Sequence, residues 1–84
     1  MKLTVDTITY VNATALLNAG LAALRAGDTE FDLAAVARCD SSAVAVLLAW
    51  RREGQARAAQ VRFIGLPAAL VSLATLYGVA TLIS

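Results

Sequence analysis

The residues best placed to do chemistry are Asp40, Ser41 and Ser42, which follow the apolar run Phe31-Asp32-Leu33-Ala34-Ala35-Val36 and precede Ala43-Val44-Ala45-Val46-Leu47-Leu48. A strand, a short connection and a helix start account for that order. An aspartate or serine at a helix start accepts hydrogen bonds from backbone N–H groups that have no partner within the helix. The same end carries the positive pole of the helix dipole, which suits an anion or a phosphoryl group. A hydroxyl there is chemically modest, and nothing nearby raises it to a nucleophile. The chain has no histidine, which removes the commonest general base and metal ligand. No glycine-rich phosphate loop and no acid–base pair is evident, so a binding or switching module is expected rather than an enzyme, with no metal and no cofactor.

The single cysteine, Cys39, allows no internal disulfide and suits a small buried residue better than a nucleophile. Formal net charge is +1 over 84 residues, with no basic run interleaved with aromatics, so nucleic-acid binding is not expected. Arg51, Arg52 and Arg57 lie close together, which a solvated helix end explains as well as a phosphate-binding patch does. With 60% hydrophobic residues in so short a chain, some apolar surface is expected to meet a partner, and a homodimer is one way to cover it. No signal-peptide layout opens the chain. The uncharged stretch from Phe63 to Ser84 is long enough to span a bilayer by count, but Gly65, Pro67 and Gly78 interrupt it. Its helical part, Ala68 to Tyr77, rises only about 15 Å, half of a hydrocarbon core. A water-soluble domain is the expectation.

Positioning Ser41 requires a sheet and several helices. Leu3 and Val5 alternate with polar neighbours, as do Ile8 and Tyr10, with a phase shift near Asp6-Thr7 that calls for a turn or bulge. Asn12 or Thr14 is placed to cap a helix with a stripe of Leu16, Leu17, Leu21 and Leu24, stopped at Gly27. Thr29 to Leu33 reads as a central strand with Phe31 and Leu33 on one side. A second helix runs from Ser41 to about Gly54; Val44, Leu47 and Leu48 form its apolar face, with Val46 and Trp50 turned to the side. Val61 to Ile64 is a further strand, and Pro67 opens a last helix with Leu70, Leu73, Leu76 and Tyr77 as its stripe, ending at Gly78. Leu82 and Ile83 add pairing or packing. Strands alternating with helices imply an α/β sandwich in one domain: a mixed β-sheet with three to four helices mainly on one face.

These residues together resemble the STAS domains, named for sulfate transporters and anti-sigma-factor antagonists. The resemblance rests on Phe31-Asp32-Leu33, Asp40-Ser41-Ser42-Ala43, Val44-Ala45-Val46-Leu47-Leu48, Val61-Arg62-Phe63-Ile64-Gly65-Leu66 and Leu73-Ala74-Thr75-Leu76-Tyr77-Gly78. It implies a single STAS domain over residues 1–84. Two departures stand out: Ala43 occupies a position where the family usually has glycine, and Asp6-Thr7-Ile8-Thr9 replaces an early Gly-Glu-Leu-Asp-like segment.

At the matching position Ser41 corresponds to the phosphorylated hydroxyl of anti-sigma-factor antagonists. The short Asp-Ser-Ser-Ala helix start and Leu-Tyr-Gly ending look most like the small cytoplasmic STAS subunit of the Mla phospholipid ABC transporter, which maintains outer-membrane lipid asymmetry. That likeness implies a non-catalytic protein that binds and regulates the ATPase subunit. It would reside in the cytoplasm and meet the inner membrane only through its partner. The partner-binding residues would be Asp40, Ser41, Ser42, Trp50 and Arg51, although Trp50 serves equally well to close the core. The alternative implied by the family is an anti-sigma-factor antagonist switched by phosphorylation of Ser41, with an anti-sigma kinase as its partner.

Overall fold

The computed structural model describes residues 1–83. The elements follow in the order β1 (Thr7–Ile8), α1 (Ala13–Arg25), β2 (Glu30–Asp32), β3 (Arg38–Cys39), α2 (Ser41–Ala56), β4 (Arg62–Ile64), α3 (Ala68–Leu76) and α4 (Ala80–Ile83). This is a STAS-like α/β arrangement, with two small parallel sheets, β1–β3 and β2–β4. Every strand pairing among the described residues is parallel, so the antiparallel part of the expected mixed sheet is not found.

The two sheets form one interrupted layer. An isolated parallel bridge pairs Lys2 with Asp32, while Thr7 pairs with Arg38 and Ile8 with Cys39. One residue more separates Thr7 from Arg38 than Lys2 from Asp32, so the chain between β2 and β3 bulges outward as it runs beside the N-terminal segment. The chain bends at Asp6, whose carbonyl accepts both Ala37 N–H (2.8 Å) and Arg38 N–H (3.1 Å). That is the physical origin of the phase shift near Asp6-Thr7. The expected strand through Tyr10 stops at Ile8, because a turn over Thr9–Asn12 takes over.

Burial follows the pleat. Leu3, Ile8, Phe31 and Leu33 are buried beneath the helices, while Lys2, Thr4, Glu30 and Arg62 are exposed, as alternation along strands requires. Helices α1 and α2 share the most extensive contact between any two elements. Trp50 of α2 is central to it: its ring stacks on Phe31 with centroids 4.6 Å apart and planes 13° from parallel. Its indole N–H donates to the Leu17 carbonyl of α1 at 3.0 Å. The buried face of α2 therefore includes Ala43, Val44, Val46, Leu47, Trp50 and Gly54. It is wider than the sequence periodicity suggests: Trp50 lies near its middle, while Val46 stands at its edge beside the groove to α1.

Gly20 permits this packing, since a Cβ on it would lie 2.1 Å from the Trp50 ring. Helix α2 continues two residues past Gly54, where the missing side chain makes room for Val61. Gly27 and Gly78, expected as helix stops, do follow α1 and α3 with positive φ angles of 95° and 72°. Leu82 and Ile83 fall in α4 rather than in a strand, with Ile83 in the core. No described helix is long and apolar enough to cross a membrane.

Candidate functional site

Asp40 is the N-cap of α2. Its backbone is extended (φ −109°, ψ −171°), and its Oδ1 accepts the N–H of Ser42 at 2.8 Å. Its Oδ2 accepts the N–H of Tyr10 at 3.2 Å, so one carboxylate ties the helix start to the turn that follows β1. The Asp40 N–H in turn donates to the Ile8 carbonyl at 3.1 Å. Burial works to raise the Asp40 carboxyl, but the hydrogen bonds from Ser42 and Tyr10 together outweigh it and hold the group below its usual range. The cap is thus an ionised aspartate with its acceptors occupied.

Ser41 is the first residue of α2 and is exposed. With Asp40 performing the capping, the Ser41 hydroxyl is left facing solvent at the positive end of the helix. Ser42 is half-buried at the mouth of a shallow apolar groove of about 230 Å³ between α1 and α2, lined by Ala13, Thr14, Leu17, Ala45 and Val46. The structure therefore brings Asp40, Ser41 and Ser42 together.

It does not bring Trp50 and Arg51 to them. Trp50 is 0% exposed and presents no surface to a partner, so its expected role as an anchor is corrected to that of a core residue. The reason is its periodicity relative to Val46 and Leu47, which turns it onto α1 and Phe31. Arg51 lies ten residues along α2 from Ser41, a separation of about 15 Å. Its guanidinium donates to the Val61 carbonyl at 3.2 Å. It belongs to the opposite end of the helix.

Two residues that the sequence does not mark as a site stand beside Asp40. Tyr10 and Val11 are 79% and 78% exposed, the most open large apolar side chains of the fold. They sit on the turn where the Thr9 N–H donates to Asn12 Oδ1 at 3.0 Å and the Asn12 amide donates to the Thr7 carbonyl at 2.7 Å. Asn12 occupies the N-cap position of α1, but its side chain braces this turn and makes no capping bond. The signal for the turn was Asn12 itself, a residue that bonds its own backbone in turns; the alternation of Ile8 and Tyr10 masked it.

Cys39 is half-buried, and its thiol is pushed up by burial and by the neighbouring Asp40 charge, which makes it a poor nucleophile. No three histidine, cysteine, aspartate or glutamate side chains gather as a metal-binding group among the described residues. The arrangement can present a hydroxyl, an ionised cap and an apolar rim to another molecule.

Residues 5–84 match the protein family described as "Mlab, STAS domain". The chain is a STAS domain. No curated protein matches it. The family match spans nearly the whole chain, including the Asp6-Thr7-Ile8-Thr9 segment that departs from the family's usual pattern. STAS domains are generally regulatory and protein-binding modules.

Proposed function

We propose that this STAS domain is the non-catalytic subunit that binds and regulates the ATPase of an ABC phospholipid transporter maintaining outer-membrane lipid asymmetry. It acts on the cytoplasmic side and reaches the membrane only through that partner. The observation that carries the reading is the exposed Ser41 at the start of α2, flanked by the exposed apolar pair Tyr10 and Val11 on a turn pinned by Asp40. Polar and apolar groups lie side by side on a rigid helix end, an arrangement suited to a specific protein contact. The name Mlab in the family description supports the transporter reading.

The test is co-expression with the candidate ATPase. The expected result is a stable complex whose ATP hydrolysis rate differs from that of the ATPase alone. The Tyr10→Ser/Val11→Ser double variant and Ser41→Glu should each lose the complex while keeping the unfolding midpoint. An identical hydrolysis rate with and without this protein would overturn the reading. Phosphoryl transfer to Ser41 from a serine kinase, with no effect on the ATPase, would replace it with the anti-sigma-factor antagonist.

A further inference from the structure

The far end of α2 and the outer edge of β4 form a second surface that the Ser41 site does not use. Among the described residues, strand β4 pairs only with β2. The Arg62 N–H donates to the Thr29 carbonyl and the Ile64 carbonyl accepts the Leu33 N–H, so Arg62 and Ile64 turn their backbone groups toward β2. By the alternation of a parallel ladder, Phe63 turns its N–H and C=O outward. No backbone group among the described residues pairs with them. Two residues earlier on the same edge, the Val61 carbonyl is occupied by the Arg51 guanidinium. The edge is therefore closed at Val61 by a side chain and open at Phe63.

The hollows along this edge are cationic. One of about 460 Å³ is lined by Arg51, Gln60, Val61, Arg62 and Phe63, and two adjoining ones add Leu48, Arg52, Gln55, Ala59 and Leu82. Three arginines and two glutamines face this space, and no carboxylate lines it. Among the described residues Arg51 and Arg52 have no carboxylate within 4.0 Å; Arg57 takes Glu53, and Arg62 meets Glu30 only at 3.7 Å with both side chains more than half exposed. So loose a pair leaves Arg62 available to a better acceptor.

A second copy of this chain is a poor occupant, because pairing β4 with β4 would bring arginines against arginines. We propose that the outer edge of β4 docks an extended, carboxylate-bearing segment of a partner protein. Its backbone pairs with Phe63, and its acidic side chains meet Arg51, Arg52 and Arg62. Backbone pairing supplies the alignment, the arginines select the charge, and the Gln55 and Gln60 amides add donors and acceptors beside the segment. This surface lies at the opposite end of α2 from Ser41 and stands whether or not the ATPase reading holds.

The experiment uses the full chain labelled with nitrogen-15 and titrated with four probes. These are a blocked hexapeptide of alternating valine and glutamate, its lysine counterpart, the acidic peptide with N-methylated backbone amides, and inorganic phosphate. The acidic peptide should shift the Phe63 amide and the Arg51 side-chain signal saturably, with Ser41 and Tyr10 unmoved. Replacing Arg52 or Arg62 by glutamine should weaken that binding about threefold to tenfold each, without moving the unfolding midpoint. The lysine peptide and the N-methylated peptide should fail to bind. No saturable shift at Phe63, equal binding of the lysine or N-methylated peptide, or the same shifts from phosphate alone at equal affinity would each overturn the proposal.

Discussion

Asp40 joins two functions that a sequence reader assigns separately. It caps α2 through Ser42 and anchors the Tyr10 turn, so the hydroxyl of Ser41 is displayed by a carboxylate that must stay ionised. The folded state holds the Asp40 carboxyl below its usual range, so folding favours its charged form. That stability is fully present above the ordinary carboxylate pKa of about 4 and is lost as pH falls through the lower, folded value. Denaturant unfolding followed from pH 7 to pH 3 should show the midpoint falling across that window. Asp40→Asn should start lower at neutral pH and fall less steeply, because an amide retains an acceptor oxygen but has no charge to lose. An unchanged acid slope in Asp40→Asn would remove Asp40 from the account. The types Asp, Ser and Ser already announced a helix cap. That Asp40 also reaches Tyr10, thirty positions away in the chain, was not legible, because only the parallel pairing of β1 with β3 brings the turn beside the helix start.

At the scale of elements, the pairing of α1 with α2 decides which residues remain for function. The leucine stripe of α1 and the helix from Ser41 onward follow from period and capping. The depth of their contact does not, because it depends on a small residue facing a large one. Gly20 is among the least helix-favouring residues, and propensity alone says Gly20→Ala stabilises α1 by about 1 kcal/mol. The ring of Trp50 says the reverse, since the added methyl would sit 2.1 Å from it with backbone on one side and a packed core on the other. Overpacking of this kind typically costs about 1–3 kcal/mol, so the net effect should be destabilising. Chemical denaturation of Gly20→Ala is the check, and a raised midpoint would show that α1 and α2 separate more easily than their contacts imply. The same packing removes Trp50 from the partner surface and leaves Tyr10 and Val11 in its place.

Over the whole molecule, one buried cluster runs from Leu3 through Phe31, Leu47 and Trp50 to Ile83, joining every helix to the strand layer. No separate core exists among the described residues to hold any element independently. Unfolding should therefore be a single cooperative step, with Trp50 fluorescence and far-ultraviolet circular dichroism giving coincident transitions. Emission from Trp50, the only tryptophan, should lie to the blue of solvated indole until that step. Transitions that separate would mean that the α3–α4 end opens before the α1–α2 pair. Helices α1, α2 and α3, strands β2 and β4, the helix stops at Gly27 and Gly78 and the cap at Asp40 were legible in the sequence, because each depends on local backbone preference or on a short repeat of apolar residues; β3 and α4, two and four residues long, carry too short a pattern to be read. The tertiary structure alone decided that the strands pair in parallel, that Trp50 lies inside while Tyr10 and Val11 lie outside, and that Arg51 closes part of an open edge at β4. Those outcomes depend on which distant residues meet, and a local pattern carries no information about that.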